Sequence, residues 1–223
     1  MNWIKESFAR SKQMRNHYKM HEIDIFIKDA LPVDVDPNVV FSYISKKIPS
    51  HFFRNIDIIY IGQFEMFREK QVNAIFQDGA IYVSNKQDSY QDLVDDIIHE
   101  VAHSIEETYR DIIYEDEVLK NEFIGKRKRL YSILLSNDYK PYSKIQNKYH
   151  YDKQVDMYFF KDVGYETLWN IVPGLFPTPY SVTSLREYFA VGFEEFYLGD
   201  KKSLKRDCPI LFSKLEELDY LED

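Results

Sequence analysis

Residues 92–107 read DLVDDIIHEVAHSIEE, and the spacing of apolar side chains here decides how the rest of the chain is parsed. Leu93, Val94, Ile97, Ile98, Val101, Ala102 and Ile105 recur at helical intervals and cover one half of a wheel drawn at about 100° per residue. The other half carries His99 and His103 beside Asp95, Asp96 and Glu106. A helix over about 89–110 is therefore expected to bury one side and present both histidines to a cleft.

The chain before this helix reads as mixed α and β. Residues 2–20 fit an amphipathic helix, and 21–28 (HEIDIFIK) alternate like a strand. Residues 37–48 (PNVVFSYISKKI) fit a helix stopped by Pro49, and 55–64 (NIDIIYIGQF) a strand rich in β-branched residues. Residues 72–85 carry Asp78-Gly79 between two short apolar runs, a hairpin signal. The chain after it is mainly helical. Helices are expected over 115–135 with an interruption near Gly125, near 153–161, near 183–198 and over 209–220, with a proline-rich loop at 172–180. These readings give an α+β fold: a small mixed sheet with an edge strand against the histidine helix, then a mainly helical lobe. Residues 1–223 are read as one two-lobed domain, divided at about 110 into an αβ lobe and a helical lobe.

Composition narrows the function classes. An apolar fraction of 44% with 18 Tyr and 16 Phe can supply a core, and Asp+Glu exceed Lys+Arg by 37 to 29. That acidic balance argues against a nucleic-acid partner, so KRKR (126–129) is expected to be a solvated helix face. The single cysteine, Cys208, excludes a disulfide framework and a cysteine-built metal site, and is expected to be a buried small side chain. The first twenty residues lack the apolar core of a signal peptide, and no run reaches the roughly 18 apolar residues of a membrane span. A soluble, cytoplasmic protein is expected.

The chemistry rests on His99-Glu100-Val101-Ala102-His103. Histidines four apart on a helix share a face, so both imidazoles can meet one ion. Zinc accepts neutral imidazole nitrogens at about 2.0–2.1 Å. Glu100, between them, is placed to take a proton from metal-bound water. One Zn2+ per chain is expected. An open catalytic site needs a third protein ligand, and Ser-Ile-Glu-Glu-Thr-Tyr after His103 offers no adjacent histidine. His17, His21, His51 and His150 stand in no ligand pattern.

The segment YSVTSLREYFAVGFEEFYLGD (180–200) resembles the second zinc motif of the gluzincin metallopeptidases, specifically the anthrax lethal factor-like group that includes small Pro-Pro endopeptidases. With the His-Glu motif and the order of elements, the resemblance covers roughly residues 56–220. It implies a zincin-like fold with Glu187 as third ligand and Tyr180, seven residues earlier, as hydrogen-bond donor to the substrate carbonyl. It implies zinc-dependent endopeptidase activity on a protein or peptide substrate. That substrate is expected to lie extended along an edge strand, assigned to Ala80, Ile81, Tyr82, Val83 and Ser84. Tyr188 should face another side of its helix and tolerate phenylalanine.

Two departures qualify the resemblance. Val191 stands where many gluzincins carry an acid bracing a zinc histidine, leaving Asp95, Asp96 or Glu194 as substitutes. The stretch 110–175 is long for the group and reads as an added helical element. The alternative from another class is a degenerate zincin-fold protein that binds a protein partner, with Val191 as its support. A duller reading of Glu187 also stands: it follows Ser184 by three, the spacing of a capping box.

Overall fold

Short β-branched and aromatic runs pair into a five-stranded mixed sheet: β1 (His17–Met20), β2 (Ile23–Ile27), β3 (Ile58–Ile61), β4 (Ala74–Gln77) and β5 (Ala80–Val83). Spatial order is β1-β2-β3-β5-β4, with β2, β3 and β5 parallel and the outer strands antiparallel to their neighbours. The computed structural model describes residues 16–142 and 145–221. Of the helix expected over 2–20, residues 2–15 therefore lie outside the described residues. Residues 17–20 instead form β1, because the two-residue turn at His21 (φ 52°) folds them back onto β2.

The parallel pairs need crossovers. Helix α1 (Pro37–Lys47) links β2 to β3, capped by the Asp36 carboxylate, which accepts the Asn38 N–H, and started by a proline at its first turn. Helix α2 (Glu65–Lys70) and β4 precede β5. The Asp78-Gly79 turn has both residues at positive φ (51° and 76°), the geometry of the tight primed hairpin turn.

One expectation fails here. The segment 80–84 is not an edge: β5 is paired with β3 on one side and β4 on the other, and the edges among the described residues are β4 and β1. The main-chain groups of β5 are already spent on its neighbours. Ala80, Ile81, Val83 and Ser84 are buried, while Tyr82 stacks on Tyr60 at 5.4 Å.

Helix α3 (Tyr90–Thr108) carries the histidines. It starts with a reciprocal cap: Ser89 Oγ accepts the Asp92 N–H, and Asp92 Oδ2 accepts the Ser89 N–H. Its seven apolar residues are all buried, as the periodicity predicts.

Beyond it come α4 (Arg110–Tyr114), α5 (Val118–Ser136), α6 (Lys153–Met157), a π-helical segment (Tyr158–Val163), α7 (Tyr165–Ile171), α8 (Leu185–Leu198), α9 (Lys201–Asp207) and α10 (Pro209–Asp219). Helix α5 runs through Gly125 without a break, since the glycine sits exposed on its outer face. Gly192 in α8 is required by close approach, because a Cβ there would run into the Leu211 side chain of α10. Backbone contacts divide the chain into two compact units, Met1–Ile105 and Glu106–Asp223. Among the described residues no helix is long and apolar enough to cross a membrane.

The KRKR tetrapeptide is not a solvated face. Lys128 and Arg129 are exposed, but Lys126 and Arg127 are buried, Arg127 to 1% exposure. Arg127 donates to the carbonyls of Ile145 (3.2 Å), Lys148 (3.3 Å) and Val182, and its guanidinium lies 5.3 Å from the ring centres of both Phe123 and Phe159. Burial pulls its pKa down to about 9, which leaves it protonated at neutral pH. Replacing it takes the donor from three carbonyls, two of them in a buried setting. Arg127→Met is expected to destabilise the protein by about 2–5 kcal/mol in urea unfolding, whereas Lys128→Met, on the exposed side, should stay within about 0.5 kcal/mol.

Candidate metal centre

Four residues apart on α3, His99 and His103 face one another edge to face, with ring centres 4.8 Å apart. His99 is half-buried and His103 is 5% exposed. Every residue from Glu100 to Ile105 is buried, whereas Asp95 is exposed and Asp96 and Glu106 are half-buried.

Glu187 lies in the first turn of α8. Ser184 caps that helix, its Oγ accepting the Glu187 N–H at 3.2 Å. The cap and the ligand reading draw on different groups: the cap engages the backbone N–H of Glu187, and the ligand reading concerns its carboxylate. One nitrogen each of His99 and His103 and one carboxylate oxygen of Glu187 lie within 4.8 Å of one another. This is the only such group of three or more among the described residues.

Glu100, next to His99, is 6% exposed, and its Oε2 accepts the Phe76 N–H at 2.6 Å. Tyr180 opens the short 3-10 turn Tyr180–Val182 before the Ser184 cap, with 44% of its surface exposed. Its carbonyl accepts from both the N–H and Oγ1 of Thr183. Val191 is buried and brings no acid. Of the residues that could substitute for it, Asp96 accepts a hydrogen bond from Gln87 at 2.9 Å.

Sequence reasoning missed the surroundings of Glu187. Asp156 of α6 accepts from the Tyr151 hydroxyl at 3.3 Å. Its carboxyl is pushed up by partial burial, with the Tyr151 hydrogen bond opposing and the Glu187 charge reinforcing. Burial, followed by Asp156, Glu187 and Tyr151, pushes the Tyr165 hydroxyl up to about 12. Asp156, Tyr151 and Tyr165 all come from the stretch read as an added element, and no motif marks them.

Tyr188 corrects another expectation. It is fully buried, and its hydroxyl donates to Glu122 at 2.8 Å. The same Glu122 carboxylate accepts the N–H groups of Ile210 and Leu211 at the start of α10. Burial holds the phenol well above its ordinary pKa, with Cys208 and Glu122 adding to it. Cys208 is likewise fully buried, as expected. A cavity of about 220 Å³ lined by Trp169, Phe176, Pro177, Glu195 and Arg206 includes none of the three grouped residues.

Comparison of the chain with protein-family models, with curated proteins and with solved structures gives no match in any of the three.

Because its hydroxyl meets a carboxylate, Tyr188→Phe is not a silent change. It is expected to lower stability by about 1.5–3 kcal/mol, measured by chemical unfolding. A loss below about 0.5 kcal/mol would mean that Glu122 finds another donor at no cost.

Proposed function

We propose that this protein is a zinc-dependent endopeptidase of zincin-like fold, cutting a protein or peptide chain. The observation that carries the reading is the grouping of two imidazole nitrogens and one carboxylate oxygen within 4.8 Å. The donor set suits zinc in chemistry and in number: neutral imidazoles with one carboxylate, three ligands rather than the four of a closed structural site. Tetrahedral coordination at about 2.0–2.1 Å puts donors about 3.3 Å apart, within reach of small side-chain rotations.

Zinc bound there would lower the pKa of a water and polarise the scissile carbonyl. His99, His103 and Glu187 would hold the ion. Glu100 takes the attacking water's proton as the oxygen–carbon bond forms and delivers it to the amine as the carbon–nitrogen bond breaks. Tyr180, exposed at the end of its loop, donates to the oxyanion. The substrate lies along β4 rather than β5, because β4, unlike β5, has a row of main-chain groups that no neighbouring strand among the described residues pairs.

The rival reading, a degenerate zincin-fold module that binds a protein, has one supporting observation: Val191 is buried where a bracing acid would stand. Metal content separates the two. Protein purified without added zinc should carry about one zinc per chain and hydrolyse members of a peptide library. Metal-free, inert protein would favour the module.

Glu100→Gln is expected to retain stoichiometric zinc and lose nearly all hydrolysis. Glu187→Ala should release zinc under mild chelation far more readily than Glu194→Ala. Wild-type cleavage by Glu100→Gln sinks the assigned base, and equal retention by the two alanine variants sinks the assigned ligand. Tyr180→Phe should keep zinc and KM while kcat falls by about 10²–10³. A raised KM with unchanged kcat would make Tyr180 a substrate-packing residue instead.

A further inference from the structure

The Glu100 carboxylate is tied to the sheet, and the hairpin explains how. With a two-residue turn at Asp78-Gly79, Gln77 and Ala80 face each other as a hydrogen-bonded pair. Alternation along an antiparallel ladder then turns the main-chain groups of Ile75 and Gln77 toward β5 and those of Ala74 and Phe76 away from it. The Ser84 N–H to Asn73 carbonyl bond, 2.7 Å, falls where this alternation requires. The outward row of β4 is the row an added peptide strand would pair with. Its Phe76 N–H already points at Glu100 Oε2, 2.6 Å away in a buried setting.

We infer that the Phe76 main-chain amide is the positioning group for Glu100: it fixes Oε2, leaves Oε1 to exchange the proton, and withdraws that donor from the edge offered to substrate. The inference rests on Glu100 being the base. A lone carboxylate on a helix explores several rotamers, and one charge-assisted hydrogen bond selects among them. A peptide laid on β4 then meets no donor at Phe76, so the carbonyl facing that point is left unpaired by the strand.

The first test needs no metal and no activity. In ¹⁵N-labelled, metal-free protein, hydrogen exchange at the Phe76 amide should quicken at least about tenfold in Glu100→Ala, while the Ala74 amide keeps its rate. No change at Phe76 would overturn the inference. The second test compares Phe76→Pro with Phe76→Ala in the zinc-loaded enzyme. Both lose the ring, and only proline loses the N–H, at an outward edge position where proline is tolerated. The kcat of Phe76→Pro should lie at least about tenfold below that of Phe76→Ala, with the two KM values alike. Equal kcat values, or a KM raised only by proline, would make the amide a substrate donor and overturn the inference. Should Phe76→Pro not fold, the exchange measurement decides alone. Full activity in Glu100→Gln would remove the underlying reading, an outcome distinct from either.

Discussion

A guanidinium shut away from water must find its acceptors in the protein, and Arg127 finds three. Two of the carbonyls, Ile145 and Lys148, belong to the irregular stretch after α5, and the third, Val182, ends the turn opened by Tyr180. Two residues later Ser184 starts α8, and Glu187 stands in its first turn. The entry of α8, and so the position of Glu187, depends on a charge buried some sixty residues earlier. Desolvating that charge is costly, and the carbonyls with the faces of Phe123 and Phe159 are what offset it.

In the first compact unit the corresponding constraint is the burial of a carboxylate. Glu100 is almost wholly buried on α3, and an unsatisfied carboxylate there would be expensive. The Phe76 N–H supplies the needed donor, and β4 can spare it only as an edge strand. Sheet order and the carboxylate of α3 are thus linked through one main-chain group.

What was legible in the sequence was what local pattern determines. Helix α3 announces itself by the period of its apolar residues, the hairpin by Asp78-Gly79, and α1 by its apolar spacing ahead of Pro49. The apolar half of α3 and the isolation of Cys208 in the core also followed from type and spacing. Whether β4 or β5 is the edge did not, because AIFQ and AIYV differ little and position in a sheet is fixed by distant partners. The burial of Arg127 was hidden for the same reason, since its acceptors lie 18 to 55 residues away in the chain. Glu187 was reached through a resemblance, yet its neighbours Asp156, Tyr151 and Tyr165 carry no motif, because only tertiary folding collects them.

The hairpin turn carries a constraint of length as well as composition. Strand side chains and main-chain groups alternate with a period of two, so adding or losing one residue at Asp78-Gly79 would exchange the inward and outward amides of β4. The apolar content of the strand would hardly change and a sheet could still form. Yet Phe76 would aim its N–H at β5, and Glu100 would lose its tether. The turn is therefore restricted twice over: its positive φ angles and the approach of Asp57 to Gly79 limit which residues fit, and its length sets which amides of β4 face outward.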